Sequence, residues 1–252
     1  YVESGDVKIN GEVIQGRIIL SEGDIIETEN GLATVILYES VVINLEKNTK
    51  IKVDDLAKNH PKITQENGTT WNTFTGLLGI EEYTLKTGKS VASVRGTAFD
   101  LSKETGTWKC LVGDGKVDYD FKGEKFSIER FEVVEEVDGK IIERAATEEE
   151  KIMIKKKTER TIESLKRLRN IEIDKNPLLV RLAAPLITAR VVDLEDKEDL
   201  SDSEIGNLLD RVDRGEISIE AIEENVPFKM QAVDKIIGIT KKIKELETEI
   251  NL

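Results

Sequence analysis

A single cysteine, Cys110, and a single histidine, His60, bound what this chain of 252 residues could do chemically. One thiol makes no disulfide within the chain and builds no multi-cysteine metal site. One imidazole excludes chemistry that needs a histidine pair on a metal. His60 precedes Pro61 in a polar stretch and reads as an ordinary surface histidine. Cys110 lies in the strand-like run Trp108-Lys109-Cys110-Leu111-Val112, the setting of a buried thiol or an inert edge position rather than a nucleophile. With 50 Asp and Glu side chains, paired carboxylates are too common to be informative. A glycoside hydrolase would place two across a cleft beside aromatic platforms, and aromatic residues make up only 5% of the chain. There is no Gly-x-Ser-x-Gly elbow, and Gly76-Leu77-Leu78-Gly79 lacks the Lys and Ser/Thr that complete a phosphate loop. The acidic run Asp193 to Glu204 holds seven carboxylates without the central glycine or ligand spacing of a calcium loop, and reads as a solvated linker. The expectation is a protein that is not an enzyme, with no catalytic residue, no cofactor and no metal.

Charge narrows the partners. A formal net charge of −13 argues against nucleic acid, which attracts positive surfaces, so the partners expected are proteins. One segment runs against the trend: Lys151 to Arg169 nets +6. Three readings stand for it: a solvated helix face paired with nearby Glu side chains, a helix that meets the acidic β domain or acidic linker of a neighbouring subunit, or a site for nucleic acid or an acidic glycan. Lys155, Lys156, Lys157, Arg160, Lys166 and Arg167 are then the candidate interaction residues, and a homo-oligomer or polymer is the assembly to look for. Asn67-Gly68-Thr69 is a glycosylation triplet in an apparent loop, making Asn67 a candidate acceptor. No stretch reaches the ~20 apolar residues of a transmembrane helix. The first residue is Tyr1 rather than Met, which fits a signal peptide already removed and an extracytoplasmic location, secreted or at the cell surface.

These residues must be positioned by two unlike halves. From Tyr1 to about Lys140, short β-branched runs alternate with Gly11, Gly16, Gly23 and Asn30-Gly31, then with Asp114-Gly115 and Asp138-Gly139. Asn30-Gly31 is the strongest hairpin signal, because a type I′ turn needs positive φ at both central residues. Beyond residue 140 the period becomes helical. Thr147 followed by Glu148-Glu149-Glu150 is a helix start, Ser201-x-x-Glu204 a capping box, and Ser218 another start. The pattern predicts an α+β protein with an all-β domain over 1–140, a sandwich, roll or short solenoid, then a helical region over 141–252. Helices are expected at about 147–173, 177–192, 201–214, 218–225 and 227–250. The last carries Ala232, Ile236, Ile239, Ile243, Leu246 and Ile250 in heptad-like steps, suited to docking on the other helices or pairing with a second chain.

The most distinctive run is Val91-Ala92-Ser93-Val94-Arg95-Gly96-Thr97-Ala98-Phe99-Asp100. As a single strand it would place Ala92, Val94, Gly96 and Ala98 on one face, and the glycine would mark a close approach or a bulge. Arg95 would satisfy loop carbonyls or a carboxylate inside the domain, or bind a ligand or partner. Together with Gly5-Asp6-Val7, the element Gly23-Asp24-Ile25-Ile26-x-Thr28, the strand Gly31-x-Ala33-x-Val35-x-Leu37 and the closing Val112-x-x-Gly115-x-Val117, this run resembles the FecR domain family over residues 5–121. Gly23, Asp24, Thr28, Arg95, Gly96 and Thr97 form the structural signature. Glu39-Ser40 stands where the family usually has an Asp-Gly turn. The resemblance implies an extracytoplasmic β module and leaves the helical half uncovered. The leading expectation is a structural or assembly subunit acting as a protein-interaction module at the cell surface. The alternative is a sensory or signalling module that binds an envelope protein or a ligand, as FecR-type regulators do.

Overall fold

A computed structural model of the protein describes residues 1–77, 80, 82–88, 90–94, 96–104, 107–121, 123–176, 204–226 and 231–250. Arg95, Leu78-Gly79, the helix expected at 177–192, the acidic run up to Ser203, Ser201 and Pro227 lie outside the described residues. The chain divides into two compact units, Tyr1–Thr161 and Ile162–Leu252.

The first unit is built from β1 (Val2–Ser4), β2 (Val7–Ile9), β3 (Glu12–Ile14), β4 (Ile25–Thr28), β5 (Leu32–Leu37), β6 (Val41–Leu45), β7 (Thr49–Asp55) and β8 (Lys62–Phe74). It continues with β9 (Tyr83–Thr87), β10 (Ser90–Val94), β11 (Ala98–Glu104), β12 (Thr107–Asp114), β13 (Lys116–Phe121), β14 (Glu124–Glu129), β15 (Glu132–Val137) and β16 (Lys140–Ala145). One sheet runs β1-β5-β6-β8-β11-β12-β15-β16, and the other β3-β2-β4-β7-β8-β9-β10-β13-β14. Among the described residues only β8 and β9 pair in parallel. The two sheets share β8. Lys62 to Asn67 belongs to the second sheet, and Gly68 to Phe74 to the first. The bend falls at Gly68, with φ +88 and a position where a Cβ would come within 2.4 Å of the Thr49 Cα, so only glycine fits. The result is a sandwich with strands that switch sheets at its corners.

The strand period explains the core. Ile26, Ile51, Val53, Ile63, Tyr83, Leu85, Val117 and Tyr119 from the second sheet meet Val35, Leu37, Ile43, Leu45, Phe99, Leu101, Cys110 and Val112 from the first. Trp108 stacks on Tyr119 with ring centroids 4.6 Å apart. Several turns follow the local signals: Asp138 and Gly139 both have positive φ and join β15 to β16. Two expectations need correction. Asn30-Gly31 makes no I′ hairpin; neither residue has positive φ, and the chain there passes from β4 in one sheet to β5 in the other. The I′ hairpin is made by Asn10 and Gly11, between β2 and β3. The signature run is also not one strand. β10 ends at Val94, Gly96 bends with φ +62, and β11 begins at Ala98 in the opposite sheet. No atom lies within 4 Å of a Cβ built on Gly96, so the glycine serves the turn rather than a close approach.

Strands run on to Ala145, beyond the boundary expected at residue 140, and the first unit ends at Thr161 inside helix α1 (Glu148–Lys175). The start of α1 is a capping box. Thr147 N donates to Glu150 Oε2 (2.8 Å) and Glu150 N to Thr147 Oγ1 (3.3 Å). In the second unit, α1 is followed by α2 (Glu204–Asp213), α3 (Ile219–Glu224) and α4 (Gln231–Glu249). Ser218 caps α3 by accepting from Ala221 N at 3.1 Å. Val233 and Ile237 of α4 pack with Leu208, Val212, Ile219 and Ile222, while Ile236 meets Leu209 and Ile173. Of the heptad-like stripe, Ile236 docks on helices of its own unit, and Ile239, Ile243 and Leu246 are buried.

Candidate functional site

The two sheets diverge at the β1–β5 edge and leave an apolar groove of about 430 Å³. Its walls come from Val7, Ile9 and Ile26 on one sheet and from Ala33, Val35 and Leu37 on the other, with Tyr1, Tyr38 and Leu56 at the rim. These are inward positions of the strand alternation that elsewhere would be filled by a facing strand. The segment after β3 closes part of the gap. Val2 N donates to Gly16 O (2.9 Å), and the chain then presents Ile18, Ile19 and Leu20 at the mouth. Ile18 is 47% exposed and Ile19 92%. These two isoleucines place apolar surface in water beside the groove. At the groove, Tyr38 Oη donates to Leu56 O.

The outer face of the first sheet is covered instead of open. The first half of α1 lies on Trp71, Leu111 and Val133 through Ile154 and Met153. Beside this apolar strip is a polar one. Arg160 donates to Glu3 Oε2 and Glu46 Oε1 (both 2.9 Å) and to the carbonyls of Ala33 (3.1 Å) and Leu45 (2.9 Å). Lys157 pairs with Asp100, a carboxylate 2% exposed. Thr161 Oγ1 donates to Asn44 Oδ1 at 3.0 Å, and Asn44 Nδ2 to Thr34 Oγ1 at 2.8 Å. At the start of the helix, Glu150 accepts from Arg144 and Lys109, and these cations hold its carboxyl down to about 2 against the usual 4.5 despite its burial.

Of the interaction candidates, Lys157 and Arg160 are thus committed within the β unit, and Lys166 pairs with Glu247 within the helical unit (3.2 Å). Lys155, Lys156 and Arg167 are exposed. Asn67 lies in β8 rather than in a loop, and its Nδ2, the atom a glycan would take, donates to Asn48 O (3.1 Å). The described signature residues hold turns and strand ends through hydrogen bonds and backbone geometry. Gly23 N donates to Val53 O (2.8 Å), and Asp24 accepts from Ser21 N (2.7 Å) and Asn10 Nδ2 (2.8 Å). Thr28 Oγ1 accepts from Thr49 N (2.9 Å). Thr97 O takes Phe74 N (2.8 Å), while its buried hydroxyl has no partner among the described residues. His60 is exposed in the β7–β8 loop. Cys110 is fully buried, and burial, with the Asp100 charge nearby, pushes its thiol far above the ordinary value. Among the described residues no group of three His, Cys, Asp or Glu is placed to hold a metal, and no helix is long and apolar enough to cross a membrane. Sequence reasoning missed the groove. Its signal was Ile18-Ile19-Leu20, an apolar triplet between Gly16 and Gly23 that reads as a strand and is none.

The first unit is thus a β sandwich with the first half of α1 laid on one face and an apolar gap at one edge. Residues 24–118 match the model of the FecR family, described as FecR protein, so the resemblance read over residues 5–121 is shown for that segment, from β4 into β13. No curated protein matches the chain. Two crystal structures of a "putative anti-sigma factor" from Parabacteroides distasonis ATCC 8503 are similar at 17% identity, with TM-scores of 0.43 and 0.44. The similarity covers 48% of this chain and 58% and 59% of those, under two thirds of their length.

Proposed function

We propose that this protein is a non-enzymatic regulatory or sensory module of the FecR type, which acts outside the cytoplasm by binding another protein. The observation that carries the reading is the FecR match over the strands that build the sandwich. The open apolar groove supports it, since a binding module needs a surface that its own fold leaves unfilled. A buried, unreactive Cys110 and a lone exposed His60 support the absence of catalysis. An assembly subunit is the leading expectation from sequence, in part because of the charge asymmetry between the basic helix and the acidic remainder of the chain. Lys157 and Arg160 are spent on the protein's own β unit, which weakens that reading.

The test is made in cells that carry the gene. Deleting it should alter a defined set of transcripts, cell fractionation should place the protein outside the cytoplasm, and chemical crosslinking should join it to one partner protein. Ordered polymers in electron microscopy, with no transcript change, would return the assembly reading to first place. Turnover of a defined substrate would end both.

A further inference from the structure

We infer that the groove takes an extended segment of another protein, one that inserts an aliphatic or aromatic side chain and carries Lys or Arg on either side of it. This rests on the protein-binding reading and names its partner's chemistry. The lining is mostly aliphatic, and the Tyr38 hydroxyl is turned to an internal acceptor, so an apolar side chain suits it better than a polar small molecule. Ile18 and Ile19 carry the apolar surface out of the gap and onto the exterior, which suits a chain lying across it better than a ligand enclosed in it. A backbone edge lies alongside, because β3 pairs with β2 alone among the described residues.

Charge supplies the flanks. Residues 1–39 hold eight carboxylates against two cations, Lys8 and Arg17. Glu3, Glu27 and Glu29 are matched by Arg160, Lys50 and Lys8. Of the other five, Glu39 lies in the turn after β5, and Asp6, Glu12, Glu22 and Asp24 are set against Arg17. Glu12 shares a face of β3 with Ile14, a groove residue, because strand side chains alternate. This local surplus, within a chain of −13, draws a cationic segment and repels a fatty acid or an anionic lipid.

The probe is a fluorescein-labelled peptide, Lys-Lys-Leu-Phe-Leu-Lys-Lys, titrated against the full chain and followed by fluorescence anisotropy. It should bind, and analogues with Glu for Lys, or Ser for the apolar centre, should bind about tenfold more weakly or worse. The double variant Ile18→Ser/Ile19→Ser should lose about tenfold with an unchanged circular dichroism spectrum, because both side chains are exposed. Glu12→Gln should weaken binding at low salt and have less effect at high salt. No binding of the basic peptide, equal binding by the double variant, or tighter binding of laurate than of the peptide would each overturn the inference. The regulatory reading is judged separately by the transcripts and the crosslink, since it requires a protein partner but not this groove.

Discussion

Two surfaces of the same β sandwich have opposite fates. The outer face of the first sheet carries Thr34, Asn44 and Asp100, side chains that water would accept, yet α1 covers them and answers them with Thr161 and Lys157, while Arg160 ties the flanking Glu3 and Glu46. At the β1–β5 edge, beside a groove whose walls are packed into the core, Ile18 and Ile19 are side chains that avoid water, yet the fold leaves them exposed. A charged cluster is therefore not a partner surface merely because it is charged, nor an apolar run core merely because it is apolar. What decides is whether the chain itself supplies the complement.

The covered face should fail most when its largest connector goes. Arg160→Ala strands the Glu3 and Glu46 carboxylates and two carbonyls under the helix, at a cost of about 3 kcal/mol, reduced from a fully buried pair by partial exposure of Glu46. Urea unfolding measures it. A loss under about 1 kcal/mol would mean that the helix is held by packing alone and that the polar strip is incidental.

Packing is tested next at Gly113, which lies under the helix. A Cβ there would sit 2.6 Å from Trp71 Cη2 and 2.9 Å from Ile154 Cγ2, so Gly113→Ala must push the helix and sheet apart. The expected loss is about 2 kcal/mol, the usual scale for overpacking. An unchanged midpoint would show that this contact has slack.

The third effect depends on pH. Glu150 has a folded pKa of about 2 against an ordinary 4.5, held down chiefly by Arg144 and then by Lys109 and the Thr147 amide. A depressed carboxylate contributes stability that is complete above about pH 4.5 and is lost as pH falls toward 2. After screening, the contribution is about 1–2 kcal/mol. Glu150→Gln should therefore destabilise the protein at pH 7 and differ little from the parent near pH 2. A constant difference across that window would place the effect in the cap geometry rather than in the ion pairs.

Much of the fold was legible because its signals are local. Thr147 with Glu150, Ser218, and Asp138-Gly139 each do what their sequence neighbourhood predicts. The two Asn-Gly pairs show where locality ends. Asn10-Gly11 closes a hairpin, whereas Asn30-Gly31 crosses between sheets, with a Gly31 Cβ position only 2.6 Å from Asp6 O. Nothing within four residues distinguishes them; the choice belongs to the strand that each neighbour finds. The same limit hid the break at Gly96, since a period of two does not say when a chain changes sheet. It also hid the site. Arg160 could not be assigned to Glu3, a partner 157 residues away, and the groove is lined by residues of β2, β4 and β5 whose meeting no local pattern specifies.

The smallest expected change bears most directly on the open edge. Ile19 is 92% exposed, so Ile19→Ser removes apolar surface that folding never buried and should shift stability by less than about 0.5 kcal/mol. The same truncation at Val35, 6% exposed on the groove wall, should cost about 2 kcal/mol, because most of its side chain is already packed. The pair separates a surface held ready for a partner from an unfinished piece of core. A stability loss at Ile19 comparable to that at Val35 would mean that the isoleucine folds down over the gap in solution. The edge would then be closed by the chain itself, as the helix closes the other face, and the contrast between the two surfaces would disappear.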